Sequence, residues 1–443
     1  MSKNTAKIKP FNPIILSEFI TIDRTVASAY VIVMHIALEK GSIMDTINYQ
    51  DFWAKNIAYI ENSRGIKAPS RAKYDFAIAY PDPDTLPLEE LSESIRSSLL
   101  EQGRNLAIYP DPLGYEPLRQ FISTKIKKTR NIDVDPNQIL LTNGSLEALR
   151  IVANLVIDPG DIILTEDYTY RGALDIFRQS QALTIGIECD SEGMIPENLD
   201  KKIQLSKKEK KRIKLVYTIP TFQNPQGQLM GKERRLAILD ITKKHGIPIL
   251  EDDCYADLAF DQTPDNAIFS LDTHNSTLYL GSYSKIIAPG IRLGFLVADH
   301  DVIKKSMVVK SGGGYNELIA SAVNSFSHSY LEKHINKINK KLKTKRDAML
   351  ASLSENLSGI GNWNQPKGGL YLWLKMPPSI NLSQMQQLAF NSNIGYLSGN
   401  VWAADQTSGQ NLARLCFGYN TPEEIDSGIS QLTKILENEG HIS

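Results

Sequence analysis

The sequence predicts an α/β protein in which a large domain, with a mostly parallel sheet between helices, is joined to a smaller α+β domain. Three observations carry this expectation. Strand-like apolar runs alternate with helical patterns over residues 109–328, the rhythm of βα units in a sheet covered on both faces. Residues 330–357 then hold one lysine-rich amphipathic pattern, with Leu331, Ile335, Ile338, Leu342 and Leu350 near helical spacing, followed by the strand pattern Gly368 to Leu374. A chain of 443 residues is also long for a single core. The expected organisation is an N-terminal extension over 1–47, the start of the small domain over 48–108, the large domain over 109–328 and the rest of the small domain over 329–443.

The extension contains one apolar stretch, Ala27 to Leu38, bounded by Arg24, Glu39 and Lys40. It is shorter than the ~20 residues needed to span a bilayer, and reads as a helix capped near Asp23 and stopped at Gly41. The apolar residues before it, Pro13 to Leu16, are too few for a signal peptide. Further on, a short strand from Gln138 to Thr142 ends in Asn143-Gly144-Ser145 and passes into a helix with Leu146, Leu149 and Val152 on its apolar face. Unpaired amides and the positive end of the helix dipole make such a turn an anion site. Next, Val216 to Gly227 reads as a strand entering a turn rich in Pro and Gly, and Ile247 to Leu250 as a buried strand ending in Glu251, Asp252 and Asp253.

The densest chemistry follows the strand Thr277 to Gly281. Ser282-Tyr283-Ser284-Lys285 is followed by Pro289-Gly290 and Arg292-Leu293-Gly294. Lys285 would lie on a connection between two buried elements, where desolvation and a nearby cation lower an amine's pKa, and a neutral amine attacks a carbonyl to form a Schiff base. Ser282, Ser284 and Arg292 supply donors for a phosphate. Lysine, hydroxyls and arginine together suit a phosphorylated aldehyde, pyridoxal 5′-phosphate (PLP). Read alone, each segment has a plainer meaning: a surface lysine beside a serine-rich turn, carboxylates capping a helix, or Asn224-Pro225-Gln226-Gly227 as an ordinary turn.

In combination and order, these segments resemble the fold type I PLP-dependent aminotransferases of class I/II, from about residue 48 onward. The likeness extends to the aminoadipate and kynurenine type of aminotransferase and to the aminotransferase-like domain of winged-helix fusion regulators. It implies a PLP-dependent enzyme that moves an amino group between an α-amino acid and a 2-oxo acid through Lys285. Asp252 would pair with the pyridine nitrogen, Asn224 and Tyr255 with the phenolic oxygen, and Tyr170 would stack on the ring. Gly144, Ser145 and Leu146 would join Ser282, Ser284 and Arg292 around the phosphate, although Leu146 stands where relatives carry a polar residue. Tyr109, in the family's Y-x-D-x-x-G turn, would reach the phosphate of a second subunit, so a homodimer is expected. Arg414 would grip the substrate α-carboxylate. Ala79-Tyr80-Pro81 replaces the family's G-x-P, which alters the backbone where that carboxylate lies. The same cage also serves decarboxylases, lyases, racemases and oxidases, because the pocket chooses the fate of the carbanion. A regulator is the other alternative: Arg24 to Tyr30 resembles a recognition helix, but only about twenty residues precede it.

Composition narrows the partners. The 49 basic and 50 acidic residues leave a net charge of −1, so neither nucleic acid nor a membrane is expected. Cys189, Cys254 and Cys416 form no C-x-x-C and read as reduced thiols of a cytoplasmic protein, with packing as the role of Cys254. The seven histidines show no metal-ligand spacing, so no metal site is expected. The basic run Lys207 to Arg212 has no aromatic interleaving and reads as a solvated loop or helix end.

Overall fold

The structure, a computed structural model, describes residues 52–54, 71–260, 262–310 and 314–441. Residues Asn62–Ser443 form one compact unit. The apolar helix expected over 27–38 and the segment Arg24 to Tyr30 lie outside the described residues.

A seven-stranded sheet forms the centre of the unit. Its strands are β1 (Ile139–Thr142), β2 (Ile162–Glu166), β3 (Leu183–Ile187), β4 (Ile213–Thr218), β5 (Ile249–Asp252), β6 (Thr277–Ser282) and β7 (Gly294–Val297). Strands β1, β2, β5, β6 and β7 are buried along their whole length, as expected where helices cover both faces. The spatial order is β1-β7-β6-β5-β4-β2-β3. Only β7 runs against its neighbours, which makes the sheet mostly parallel. The carboxyl ends of the parallel strands therefore share one edge. Thr142, Glu166, Thr218, Asp252 and Ser282 all end strands there, and such an edge is where ligands bind in open α/β sheets.

The helices of the unit include α1 (Leu88–Gln102), α2 (Glu116–Arg130), α3 (Ser145–Val156), α4 (Arg171–Gln179), α5 (Pro196–Lys208), α6 (Lys232–His245), α7 (Glu317–Ser329), α8 (Leu331–Leu357) and α9 (Pro422–Asn438). Helix α8 matches the long amphipathic pattern and buries Leu331, Ile338, Leu342, Met349 and Leu353. Lys207 and Lys208 close the last turn of α5 with exposed side chains, so this part of the basic run is a solvated helix end.

Helix α8 leads to a second, antiparallel sheet of four strands: β8 (Asn362–Trp363), β9 (Tyr371–Lys375), β10 (Leu397–Ser398) and β11 (Leu412–Cys416), in the order β8-β9-β11-β10. The segment after residue 71 is sewn onto these elements. Tyr74–Asp75 pairs in parallel with Ile394–Gly395, and the Cys416 N–H donates to the Phe76 carbonyl at 2.9 Å. Residues 77–79 are thereby carried toward the strand edge of the large sheet.

Candidate active site

Lys285 lies three residues beyond β6, and its Nζ donates to the Ala79 carbonyl at 2.6 Å. Burial is the main cause that lowers its pKa to about 8, and the Arg414 and Arg292 cations act in the same direction. Arg414, on β11, is 3% exposed. Its Nη1 donates to Asn224 Oδ1 at 3.2 Å and its Nη2 to the Ala77 carbonyl. The guanidinium carbon sits 4.3 Å from the Trp402 ring centroid and 4.7 Å from that of Tyr371, two cation–π contacts. Its Nε is buried with no hydrogen-bond acceptor among the described residues.

Asn224 connects this anchor to a pair of phenols. Its Nδ2 donates to the Tyr255 hydroxyl at 3.1 Å, and that hydroxyl meets the Tyr371 hydroxyl at 3.0 Å. Burial pushes both phenols up in pKa. Tyr170, at the start of α4, neighbours both of them.

Asp252 ends β5 and is 5% exposed. The Tyr217 hydroxyl donates to its Oδ2 at 2.8 Å, and the Cys254 thiol and amide also face the carboxylate. Oδ1 is buried with no hydrogen-bond donor of its own. Burial raises the Asp252 pKa, so an ionised carboxylate here calls for a cationic partner.

The turn before α3 builds the opposite end of the site. Gly144 takes φ of +88°, and a Cβ on it would lie 2.7 Å from Arg292 Nη2. Gly294 abuts the same turn: a Cβ there would lie 2.7 Å from the Gly144 carbonyl carbon and from the Ser145 nitrogen. Both positions exclude a side chain, which leaves backbone N–H groups and one guanidinium around the turn. Arg292 Nη2 donates to the Asn143 carbonyl at 3.0 Å, Ser145 meets the Cys254 thiol, and Ser282 Oγ accepts the Ser284 N–H at 3.1 Å. Leu146 packs half-buried against the core and offers only its backbone to the turn.

The residues singled out in the sequence thus fall into two connected groups along the carboxyl edge of the sheet. Lys285, Ala79, Arg414, Asn224, Tyr255 and Tyr170 form one; Gly144, Ser145, Leu146, Ser282, Ser284 and Arg292 form the other. Asp252 lies by way of Cys254 beside the second. Tyr109 belongs to neither, since its side chain is 98% exposed. Sequence reasoning missed Tyr217, Tyr371 and Trp402. Tyr371 had one faint signal: in Leu370-Tyr371-Leu372-Trp373-Leu374 the two aromatics alternate with leucines and so share one face of β9.

Comparison with known proteins decides the family. Residues 77–432 match the family described as aminotransferase class I and II. The chain belongs to that family. The aromatic-amino-acid aminotransferase 1 of Thermococcus litoralis is 33% identical over 81% of this chain and 87% of its own length. A crystal structure of the Pyrococcus horikoshii kynurenine aminotransferase superposes with a TM-score of 0.81 at 31% identity, over 88% of this chain and 98% of that one. The uncharacterized HTH-type transcriptional regulator YdfD of Bacillus subtilis is 32% identical over 74% of this chain and 67% of its own. The fold is therefore the fold type I aminotransferase architecture, and the protein is a PLP-dependent aminotransferase.

The residues present fit that cofactor. Asp252 Oδ1 is a buried acceptor without a donor, as a protonated pyridine nitrogen requires. The Gly144 turn with Arg292 suits a phosphate, and the Lys285 amine suits an aldehyde. Among the described residues no group of His, Cys, Asp or Glu could hold a metal ion, and no helix is long and apolar enough to cross a membrane.

Proposed function

We propose that Lys285, Asp252 and Arg414 divide the work of moving an amino group from an α-amino acid to a 2-oxo acid. The observation that carries this reading is that the amine and the guanidinium share one short segment: Lys285 bonds the Ala79 carbonyl and Arg414 the Ala77 carbonyl, with Asn224 bridging Arg414 to Tyr255. An α-amino acid needs its carboxylate anchor and its proton acceptor this close together.

The bound cofactor supplies an aldehyde and an electron-withdrawing ring. Arg414 holds the α-carboxylate, using Nε and the N–H groups left over from Asn224 and Ala77, and so turns the substrate Cα toward Lys285. Lys285 Nζ, with a pKa of about 8, would accept the proton from the substrate Cα and hold it for return. Asp252 keeps the pyridine nitrogen protonated, and Tyr255 with Asn224 donates toward the phenolic oxygen. The Gly144–Leu146 turn, Ser282, Ser284 and Arg292 hold the phosphate, and Tyr170 covers the ring.

Residues 109–328 are assigned to the large domain, and 48–108 with 329–443 to the small one; the pairing of Tyr74–Asp75 with Ile394–Gly395 supports this for the segment from residue 71 onward. The active unit is a homodimer in the cytoplasm. The exposure of Leu88, Leu100, Ile108 and Tyr109 supports a second copy covering this face.

Relatives named for aromatic amino acids, 2-aminoadipate and kynurenine define the first donors to try. Each donor is incubated with the holoenzyme and a 2-oxo acid, and products are identified by mass spectrometry. Amino transfer that disappears in Lys285→Ala supports the reading; transfer that persists in that variant contradicts it. The 32% identity to YdfD supports a second reading, a regulator of transcription. A gel shift with upstream DNA separates the two.

A further inference from the structure

Strand β5 ends in three acidic residues in a row, Glu251, Asp252 and Asp253, all buried. The outer two have cations. Glu251 meets Arg235 Nη1 at 3.4 Å and accepts the N–H groups of Ile268 and Phe269 at 3.0 and 2.9 Å. Asp253 meets Arg130 Nε at 2.7 Å and the Tyr279 hydroxyl at 3.1 Å. Asp252 forms no ion pair with any described residue. The groups that face it are neutral: the Cys254 thiol and amide, and the Tyr217 hydroxyl on β4, which is bonded to Oδ2 at 2.8 Å, while Oδ1 has no hydrogen-bond partner. The Tyr217 ring is fully buried and held edge-on by Phe177 at 5.6 Å between centroids.

The contrast has a physical reading. An arginine on Asp252 would neutralise the carboxylate before any cofactor arrived and compete with a protonated ring nitrogen. No donor at all would leave a buried carboxylate that takes up the proton itself. A phenol avoids both, since it stabilises the anion by one hydrogen bond without adding charge. Burial raises the Tyr217 pKa well above the ordinary phenol value, so the hydroxyl stays a donor wherever the protein works.

We propose that Tyr217 is a positioning residue: it occupies Oδ2, keeps Asp252 ionised and leaves Oδ1 as the acceptor for the cofactor's ring N–H, so that the cofactor brings the only cation Asp252 meets. This rests on the assignment of Asp252 to the ring nitrogen. With the cofactor bound, the proton concerned would be shared between Oδ1 and that nitrogen. Without Tyr217 it shifts toward Oδ1, giving a neutral carboxyl and a neutral ring.

The test uses holoenzyme loaded with cofactor that carries 15N at the ring nitrogen, read by NMR. In Tyr217→Phe the resonance is expected to move toward that of an unprotonated pyridine, the cofactor dissociation constant to rise about tenfold, and kcat to fall with KM nearly unchanged. Should Tyr217→Phe not fold, 3-fluorotyrosine placed at 217 keeps the shape and strengthens the donor, and the resonance is expected to move the opposite way. A merely structural tyrosine would shift neither. Asp252→Asn is the control beneath: if it moves the resonance while neither Tyr217 variant does, the proposal is overturned and the role of Asp252 stands. If Asp252→Asn leaves the resonance in place, the role of Asp252 falls, and the proposal with it.

Discussion

Lys285 is the side chain on which the chemistry turns. Its pKa of about 8 lies below that of a free lysine. The folded state therefore binds its proton less tightly than the unfolded chain, so burying this amine costs stability below about pH 8, and the cost fades as pH rises toward the unfolded value of about 10.4. The uncharged fraction follows the same titration. Covalent capture of the cofactor aldehyde by apoprotein, followed by absorbance in a stopped-flow experiment, is expected to speed up about tenfold between about pH 7 and about pH 9 and then to level off. A rate that goes on rising past about pH 9 without levelling would show an amine with no such shift. Arg414 makes a separate demand. Arg414→Ala is expected to raise KM for every amino acid by roughly tenfold to a hundredfold, the worth of a charge-assisted contact, with cofactor affinity unchanged. Steady-state kinetics over several donors with one 2-oxo acid checks it, and an effect confined to one donor would assign Arg414 to a side-chain pocket instead. Lys285, Asp252, Asn224 and Arg414 were singled out in the sequence because the short motifs around them resemble those of one family in the same order. Tyr217, Tyr371 and Trp402 were not. They reach the site through strand register and loop packing, and an aromatic residue in an apolar run reads as an ordinary packing residue.

At the level of elements, the turn proposed to hold the phosphate exists because two glycines let β7 and α3 touch. Gly294 faces the Gly144 backbone and the Ser145 nitrogen at a distance where any Cβ must push the turn away. Gly294→Ala is accordingly expected to fold, since the strand pairs on both sides through its backbone, but to weaken cofactor binding by roughly tenfold or more, through displaced N–H donors. Fluorescence titration of the apoprotein with cofactor measures this, and an unchanged dissociation constant would mean that the turn does not hold the phosphate. The strand–turn–helix order around Gly144 was readable from Gln138 to Val152, with the strand starting one residue later than expected because Gln138 closes a 3-10 turn. The insertion of β7 between β1 and β6 was not readable. Nothing local in Gly294–Val297 distinguishes an antiparallel neighbour from a parallel one, and the order is decided by which crossovers pack on the sheet.

The whole molecule raises the question of assembly. Leu100 and Ile108 are each 71% exposed and Tyr109 98%, on α1 and the segment that follows it. Such a strip is expected to be covered by a second copy, with Tyr109 reaching the partner's phosphate site. Light scattering is expected to show a dimer, and the pair of changes Leu100→Lys and Ile108→Lys to give a folded monomer with little turnover. A fully active monomer would separate assembly from catalysis. The two-sheet architecture followed from the change of rhythm near residue 330, where βα alternation gives way to the single long helix α8.

Amino transfer itself is tested most directly by following one nitrogen atom. Holoenzyme is mixed with a donor amino acid carrying 15N at its α-amino group and an unlabelled 2-oxo acid of different length, and both products are weighed by mass spectrometry. The expected result is 15N in the new amino acid, matched mole for mole by the donor's 2-oxo acid, and absent with Lys285→Ala. Donor consumed with release of carbon dioxide or ammonia, or racemised, while the label never enters the acceptor, would contradict it.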